Sequence, residues 1–201
     1  MKKIFCLVAV FFFGASFSSC VTEKVQISGL DKKFGAFSFI REDSNLVMIV
    51  DVELAKSRVD ENFFPLGIKI ANKKLESLIV DRKGLLLVDE NDVVYYMPDI
   101  LELQKSYDKL TPDHKFKIQT GLLGDRIVTS FSFYRQAESN FFPQTQGAAR
   151  VIDSVYLQKN GFMEDLIYFP RPLGGIKGKR LRLRLDVFGY DQPFEVAFSV
   201  D

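Results

Sequence analysis

The sequence has no tryptophan, a single histidine and two cysteines among 201 residues. A catalytic triad would need His114 beside a nucleophile, and the chain has no Gly-x-Ser-x-Gly motif to supply one. The common zinc sites combine several histidine and cysteine ligands, so they are excluded as well. His114 lies between Asp113 and Lys115, which predicts a solvated histidine on a turn. We therefore expect no catalytic residue, no metal and no cofactor.

The chain also lacks a hydrophobic run long enough for a permanent transmembrane helix, which needs about 20 apolar residues. Residues 4–19 carry no charge, are dominated by Phe, Val, Ala and Leu, and follow Met1-Lys2-Lys3. A positive start followed by a short apolar run is typical of a secretory signal. Residues 1–19 are therefore predicted to be a signal peptide.

A small-residue pair and a cysteine, Ser18-Ser19-Cys20, end the apolar run. This tripeptide resembles the lipobox of bacterial lipoproteins, in which the peptidase cuts before the cysteine and the new N-terminal cysteine carries the acyl chains. The resemblance implies lipidation at Cys20, a short tether over residues 20–29, and a location in the cell envelope, outside the cytoplasm. The alternative is an ordinary signal peptide cut after Ser18. Cysteine usage favours lipidation, because an exported chain would otherwise carry one unpaired, exposed thiol.

Neither sign of charge predominates in the mature chain. The formal net charge of +1 for the whole sequence becomes −1 once Lys2 and Lys3 leave with the leader. A near-neutral domain argues against nucleic acid as a partner. The hydrophobic content of 47% and the charged content of 26% are normal for a globular protein. Residues 30–201 are therefore predicted to form one domain that needs no disulfide.

Short runs of β-branched and aromatic residues alternate with turn-forming residues along this domain, as in a mostly β sandwich. Residues 85–88 and 93–96 flank four polar turn formers, which predicts a hairpin. Pro65 and Gly67 interrupt an alternating segment and predict a bend or a sheet edge there. The other predicted strands are residues 46–54, 63–70, 127–134, 149–157, 165–169, 181–187 and 194–200.

One segment has helical rather than strand spacing. A short inserted helix is predicted near residues 98–110, because Pro98 suits a first turn and apolar residues follow at intervals of three and four. Thr111-Pro112-Asp113 is expected to end this helix. The apolar residues on its face are Ile100, Leu103, Tyr107 and Leu110.

The tetrapeptide Asn-Phe-Phe-Pro occurs at residues 62–65 and again at residues 140–143. The copies are compatible with duplication, although their flanking residues do not match. A recurrent device at the junction of a loop and a strand is the favoured interpretation.

Residues 46–96 carry a second resemblance. A hydrophobic strand, a loop and a strand that enters the polar turn within residues 84–95 are similar to the immunoglobulin-like domain of many small bacterial lipoproteins of unknown function. Asp92 stands where that pattern usually has glycine. The resemblance implies an immunoglobulin-like β-sandwich and brings no catalytic residue with it.

Two stretches look like ligand-binding loops but lack the required spacing. Asp89-Glu90-Asn91-Asp92 supplies oxygens that calcium uses, without the twelve-residue pattern of a calcium loop, so a solvated turn is expected. Residues 174–180 are rich in glycine and lysine, as in a phosphate loop, but they precede a predicted strand rather than a helix. A glycine-rich hairpin loop is the favoured interpretation.

The most distinctive polar feature is an alternation of arginine and leucine over residues 180–185, which places the arginines on one face of a strand and the leucines on the other. A row of this kind could contact anionic lipid headgroups or an acidic glycan. The alternative is an ordinary charged face paired across strands with acids such as Glu195. The residues predicted to contact an anionic surface are Arg171, Lys177, Lys179, Arg180, Arg182 and Arg184.

These features predict an exported, lipid-anchored envelope protein with a non-catalytic binding or structural role. Its partners would be the membrane, through the acyl anchor, and an envelope protein, an anionic lipid or an acidic glycan. Two other classes stay open: a carboxylate-dependent hydrolase and a small-molecule carrier with a phenylalanine-lined cavity between its sheets. Two facing carboxylates with shifted pKa values in a cleft would favour the hydrolase, and a large apolar pocket would favour the carrier.

Overall fold

The computed structural model describes residues 31–120, 133–142 and 151–201. The predicted signal peptide, the lipidated Cys20 and the tether lie outside the described residues, and they stay predictions. Most of the predicted strand at residues 127–134 also lies outside them, as does the proline of the second Asn-Phe-Phe-Pro copy.

The described residues are mostly β, as predicted, with twelve strands and three helices. In chain order they are β1 (Lys32–Lys33), β2 (Ser38–Glu42), β3 (Leu46–Asp51), α1 (Glu53–Lys56), β4 (Phe63–Asn72), β5 (Ser77–Asp81), β6 (Leu85–Val88), β7 (Val94–Tyr96), α2 (Ile100–Ser106), α3 (Leu110–Thr120), β8 (Arg135–Gln136), β9 (Ser154–Gln158), β10 (Gly161–Pro170), β11 (Arg180–Leu185) and β12 (Phe194–Ser199). A short 3-10 turn at Arg82–Gly84 joins β5 to β6.

These strands form three sheets. The first has six strands in the order β1-β2-β3-β4-β10-β8, and the second has four in the order β12-β11-β6-β7. The third is the β5-β9 pair. The two larger sheets share one hydrophobic core, in which the ring of Phe39 on β2 lies 6.4 Å from that of Phe198 on β12. This arrangement is consistent with a β-sandwich.

The alternation predicted for β11 is confirmed. Leu181, Leu183 and Leu185 are fully buried, and the intervening arginines face outward with partial or full exposure. β11 lies between β12 and β6, so its leucine face meets the core while its arginine face meets solvent. The period of two in the sequence is therefore enough to orient this strand.

The bend or edge predicted at Pro65 and Gly67 is wrong. β4 runs unbroken between β3 and β10, and all ten of its residues are buried. The backbone N–H of Arg171 donates to the carbonyl of Asn62, so the backbone groups of Pro65 point to the opposite side, toward β3. β3 ends at Asp51, opposite Gly67, so no ladder hydrogen bond is required of the proline.

The inserted helix is present, but its predicted end is wrong. α2 ends at Ser106, and a second helix, α3, begins at Leu110 and continues through Pro112. Proline is tolerated in the first turn of α3 because the N–H groups of a first turn have no partner within the helix. The predicted apolar face does pack inward, since Leu103 and Tyr107 are buried in the core. Among the described residues, no helix has the length and apolar character needed to cross a membrane.

The hairpin predicted around residues 89–92 is confirmed, with β6 paired antiparallel to β7. Asp89 organises the turn, because its Oδ1 accepts hydrogen bonds from the N–H groups of Asn91 at 2.8 Å and Val93 at 3.0 Å. Asp92 has a φ of 61°, the left-handed conformation in which glycine is most easily accommodated. The immunoglobulin-like domains that residues 46–96 resemble usually have glycine at this position.

The two Asn-Phe-Phe-Pro copies have different settings. Phe63 and Phe64 begin the long strand β4, as expected of a junction between a loop and a strand. Phe141 and Phe142 lie in a bend and are fully buried. In both copies the two phenylalanine rings are buried, but the first copy begins a strand and the described part of the second lies in a bend.

Candidate functional site

A cleft of about 560 Å³ opens between the turn that precedes β4 and the loop that joins β10 to β11. Its volume lies within the usual range for small-ligand sites, about 300–1,000 Å³. One wall is formed by Val59, Asp60 and Asn62. The other wall is residues 171–177, here called the cleft loop.

The cleft loop is fixed at both ends by backbone contacts. Arg171 donates its N–H to the carbonyl of Asn62 at 2.8 Å, which closes the base of the cleft. At the far end, Lys177 forms an isolated bridge to Val200, and the next N–H, that of Gly178, donates to the Val200 carbonyl at 3.0 Å. Between these points Ile176 is fully buried, so the loop packs against the domain.

Two glycines allow the tight path of the cleft loop. Gly174 and Gly175 have φ values of 84° and 81°, a backbone conformation that residues with a side chain rarely adopt. The N–H of Gly175 donates to the carbonyl of Pro172 at 3.0 Å and closes the turn. Leu173, directly before the glycines, is 95% exposed. The glycine-rich hairpin loop predicted from the sequence therefore carries an exposed apolar side chain at its tip.

The charges of the cleft come from two cations and one carboxylate. Arg171 and Lys177 are exposed at the two ends of the cleft loop, and neither forms an ion pair with a described residue. The guanidinium of Arg171 makes one long contact, 3.5 Å from Nη1 to the carbonyl of Val59. Asp60 on the opposite wall is the counter-charge. The cleft can therefore accept an anionic group without breaking an existing ion pair of either cation.

The other predicted basic residues have different surroundings. Lys179 forms an ion pair with Glu90, and Arg182 forms ion pairs with both Asp92 and Glu195. Arg184 donates from Nε to Glu195 at 2.7 Å. Cross-strand pairing with Glu195, the alternative considered for the arginine row, is thus present for two of its three members. Arg180, the third, is exposed and has no ion pair with a described residue.

The structure thus divides the six basic residues into three that have acidic partners and three, Arg171, Lys177 and Arg180, that have no ion pair with a described residue. Lys179, Arg182 and Arg184 have acidic partners, which reduces the charge they offer to a ligand. Arg171 and Lys177 line the cleft together, at the two ends of the cleft loop. The alternating pattern of β11 can be recognised from neighbouring residues alone. The cleft cannot, because its second wall is a turn that precedes the cleft loop by more than a hundred residues.

Sequence reasoning missed two features, the exposed tip of the cleft loop and the exposed lysines of β1. Leu173 was not singled out, although its position between two cations, next to paired glycines, is a usable signal of an exposed tip. Lys32 and Lys33 form the edge strand β1 and are both exposed. The positive charge that these lysines add to the surface could not be placed from the sequence, because the sequence does not show which strand lies beside the start of the domain.

The first described residue contacts the same stretch of chain as the end of the cleft loop. Asp31 donates its N–H to the carbonyl of Ala197 at 3.0 Å, and the N–H of Ala197 donates to Oδ2 of Asp31 at 2.8 Å. Lys177 contacts Val200 on the same stretch of chain. Three residues of extended backbone span about 10 Å, so the start of the described domain and the end of the cleft loop contact neighbouring positions of the same stretch of chain.

A second group of titratable residues is buried beside α3. Asp113 is fully buried and accepts hydrogen bonds from Nη2 of Arg58 at 2.7 Å and from the hydroxyl of Tyr107 at 2.6 Å. Burial raises the pKa of Asp113, and these hydrogen bonds oppose that effect. Burial and the hydrogen bond to Asp113 likewise raise the pKa of Tyr107.

The prediction for His114 is wrong. The side chain is buried, because α3 continues past Pro112 and turns this position inward. Burial lowers the pKa of His114 to about 4, with the nearby Lys117 acting in the same direction. Neither ring nitrogen has a hydrogen-bond partner among the described residues. The imidazole is therefore neutral at physiological pH and packs as an apolar ring.

Asp165 on β10 is the other buried carboxylate of this region. It accepts hydrogen bonds from the N–H of Phe141 at 2.9 Å and from Nζ of Lys117 at 3.3 Å. Burial raises its pKa, and Lys117 opposes that rise. Asp113 and Asp165 are thus two carboxylates with shifted pKa values, but neither lines the 560 Å³ cleft, and each has a cationic partner. They lack the open, facing arrangement that a hydrolase needs.

The carrier alternative required open apolar space between the sheets. The rings predicted to line such a cavity instead contact one another, with Phe39 on Phe198 and Phe64 on Phe169 at 6.5 Å between ring centres. Phenylalanine therefore fills this part of the core rather than lining a void.

The residues of the turn that carry calcium-type oxygens have other partners in the part of the chain that the structure describes. There, no group of three or more histidine, cysteine, aspartate or glutamate side chains is placed to hold a metal ion. In the predicted turn, Oδ2 of Asp89 accepts from the hydroxyl of Tyr95 at 3.0 Å, and Glu90 and Asp92 are paired with Lys179 and Arg182.

Comparison of the chain with protein-family models, with curated proteins and with solved structures found no match.

Proposed function

We propose that this chain is an exported, lipid-anchored protein of the cell envelope with a non-catalytic binding role. The observation that carries the proposal is the order of features at the start of the chain: Lys2 and Lys3, the uncharged run of residues 4–19, and Ser18-Ser19-Cys20. A folded β domain follows after about ten further residues, which is the arrangement of a short tether. Stable anchoring would come from two or more acyl chains, because one chain alone binds only marginally.

The cleft supplies the binding part of the proposal. It is held open by backbone contacts at both ends of the cleft loop, and it presents Arg171 and Lys177 without acidic partners among the described residues. An anionic group on a partner would satisfy both cations. An anionic lipid, an acidic glycan and an acidic envelope protein all carry such a group.

The immunoglobulin-like form of the sandwich is likewise a proposal. Two sheets around a shared core, antiparallel except for the pair of β8 with β10, support it. The sequential order β1-β2-β3-β4 is a meander, whereas immunoglobulin domains use Greek-key connections. An experimental structure of residues 20–201 would decide it through the order of strands in each sheet.

The anchor is tested by Cys20→Ser in the full-length chain. We expect the wild type to fractionate with membranes, to require detergent for release and to incorporate radiolabelled fatty acid. The variant should incorporate none, and it should remain an uncut precursor or appear as soluble protein. A mature, acylated, detergent-requiring band in the variant would overturn the proposal. Ser18→Ala retains a small residue before the cysteine and serves as the matched control.

A further inference from the structure

We propose that the cleft loop is a membrane-docking element: Leu173 enters the headgroup region of an anionic leaflet, and Arg171 and Lys177 pair with lipid phosphates. This inference rests on the proposed lipid anchor at Cys20, since the anchor supplies the membrane. It goes further by naming the surface of the domain that faces the bilayer. It also assigns Leu173 a role in membrane insertion, whereas binding through the arginines of β11 would need charge alone.

The position of the loop relative to the tether is the first argument. Asp31 lies eleven positions after Cys20, and a chain of that length reaches no farther than roughly 40 Å. Asp31 is hydrogen-bonded to Ala197, and Ala197 lies about 10 Å along the chain from Val200, which contacts Lys177. A domain anchored at Cys20 can therefore bring the cleft loop to the lipid headgroups within the reach of its tether.

The apolar tip is the second argument. Leu173 is 95% exposed, while Ile176 in the same loop is fully buried. The buried residue and the hydrogen bond from Gly175 to Pro172 fix the loop, so little conformational freedom remains to be lost when the tip enters a membrane. Removing a leucine side chain from water favours partitioning by about tenfold to a hundredfold. An acidic glycan would leave Leu173 in water, whereas a bilayer provides an apolar phase for it.

The balance of charge around the loop is the third argument. Arg171, Lys177 and Arg180 are exposed cations without an ion pair to a described residue. Lys32 and Lys33 lie directly after Asp31 and are exposed as well. Most acidic residues around the loop are already engaged: Asp89 accepts from the N–H groups of its own turn, Glu90 is paired with Lys179, Asp31 accepts from the N–H of Ala197, and Asp201 accepts from Ser199. Asp60 in the cleft is the counter-charge. The charges of the loop that have no ion pair with a described residue are therefore mainly positive.

Environment-sensitive fluorescence at the loop tip provides the test. Full-length protein carrying Leu173→Cys is purified from membranes, labelled with a nitrobenzoxadiazole maleimide and diluted from detergent onto preformed vesicles. One set of vesicles is phosphatidylcholine, and the other is equal parts phosphatidylcholine and phosphatidylglycerol. We expect a blue shift and a severalfold rise in emission on the anionic vesicles only, and a loss of both at high salt, because charges on the loop are screened.

Two variants separate the loop from other parts of the surface. Arg171→Gln with Lys177→Gln should lower the ratio of docked to undocked loop about thirtyfold, because each basic residue near an anionic leaflet contributes about 1 kcal/mol. Arg184→Gln with Glu195→Gln removes an existing ion pair without changing the net charge, so it should leave this ratio unchanged. A probe at Phe188→Cys should report water on both vesicles, because Phe188 is as exposed as Leu173 but lies two residues after Asp186.

The outcomes distinguish this inference from the anchor itself. Wild-type protein that takes up the maleimide has a free cysteine at Cys20, which overturns the anchor, and the loop is then measured by flotation of a Cys6→Ser, Cys20→Ser chain with the same vesicles. Identical emission from position 173 on neutral and anionic vesicles overturns the docking proposal. Flotation with neutral vesicles and a water-like signal at position 173 on anionic vesicles, together with binding of an acidic polysaccharide to the cleft, would assign the site to a glycan instead.

Discussion

Arg184 and Glu195 lie directly opposite each other on β11 and β12, and Nε of the arginine donates to Oε1 of the glutamate at 2.7 Å. The same glutamate accepts from Arg182 at 3.4 Å. One carboxylate thus serves two of the three arginines in the row. The row is a cross-strand ion-pair network, and its capacity to attract an anionic surface depends on Glu195.

Glu195→Gln should reveal this dependence. The substitution removes the shared partner of Arg182 and Arg184 and adds one positive charge to the face, so binding to anionic vesicles should strengthen at low salt. The free energy of unfolding should fall by about 1 kcal/mol or less, because partly exposed ion pairs contribute little. Vesicle flotation and urea denaturation measure the two effects. Weaker vesicle binding in the variant would show that the arginines do not act through their charge.

Leu183→Asp should unfold the domain or reduce its stability severely. Leu183 is fully buried, and an unpaired charge in a core costs several kcal/mol, comparable to the whole stability of a domain. Arg180→Asp is the matched control, because Arg180 is exposed on the same strand. Urea denaturation should show a loss of less than about 1 kcal/mol for the control. Equal losses in both variants would contradict the assignment of the two faces of β11.

His114 should make the domain sensitive to acid. Its pKa is lowered from 6.5 to about 4 by burial, so between these values the unfolded chain binds a proton that the folded chain does not. The stability linked to His114 is therefore complete above pH 6.5 and is lost as the pH falls toward 4. The loss should approach 3 kcal/mol, since one pKa unit corresponds to about 1.4 kcal/mol.

The wild type and His114→Leu should be compared by urea denaturation at a series of pH values. Asp113 and Asp165 have raised pKa values and act in the opposite direction as the pH falls, so the difference between the two proteins is the informative quantity. The leucine variant should lose less stability on acidification than the wild type does. Parallel pH profiles would mean that His114 is solvated in the folded protein.

Arg58→Met should be more damaging than the simultaneous replacement of both partners. Arg58 is the cationic partner of Asp113, whose side chain is fully buried, and removing one partner of a buried pair typically costs 3–5 kcal/mol. Adding Asp113→Asn removes the uncompensated charge and leaves a side chain that can still bond the hydroxyl of Tyr107. The double variant should recover part of the loss in thermal and urea denaturation. A double variant that is as unstable as the sum of the two single changes would show that the pair is not coupled.

The sequence predicted those elements whose pattern is local. The alternation of β11 and the polar turn between β6 and β7 depend on neighbouring residues, and both are confirmed. The buried polar residues of α3 could not be predicted in the same way. Asp113 and Lys117 read as surface charges, because their partners Arg58 and Asp165 are 55 and 48 residues away in the chain. The surroundings of Pro65 were misjudged for a similar reason, since only the end of β3 makes its missing N–H harmless.

The candidate site was predicted in part. Arg171 and Lys177 were selected for their charge, but the sequence could not separate them from Lys179, Arg182 and Arg184, whose acidic partners come from two different hairpins. On the opposite wall of the cleft, Val59 and Asp60 gave no sequence signal, and Asn62 was noted only as the first residue of a repeated tetrapeptide. A cleft between distant loops is a product of tertiary structure, and residue types alone do not define it.

The pairing of β4 with β10 has a kinetic consequence. The two strands are joined over ten positions, yet their residues are about a hundred positions apart in the chain. The β2-β3-β4 meander consists of short-range contacts and can form early, whereas the second side of β4 must wait for a late segment of the chain. Loop closure of that length slows folding and leaves a hydrophobic strand edge exposed until β10 arrives. Until its last third is available, a chain of this topology is therefore exposed to aggregation at the unpaired edge of β4.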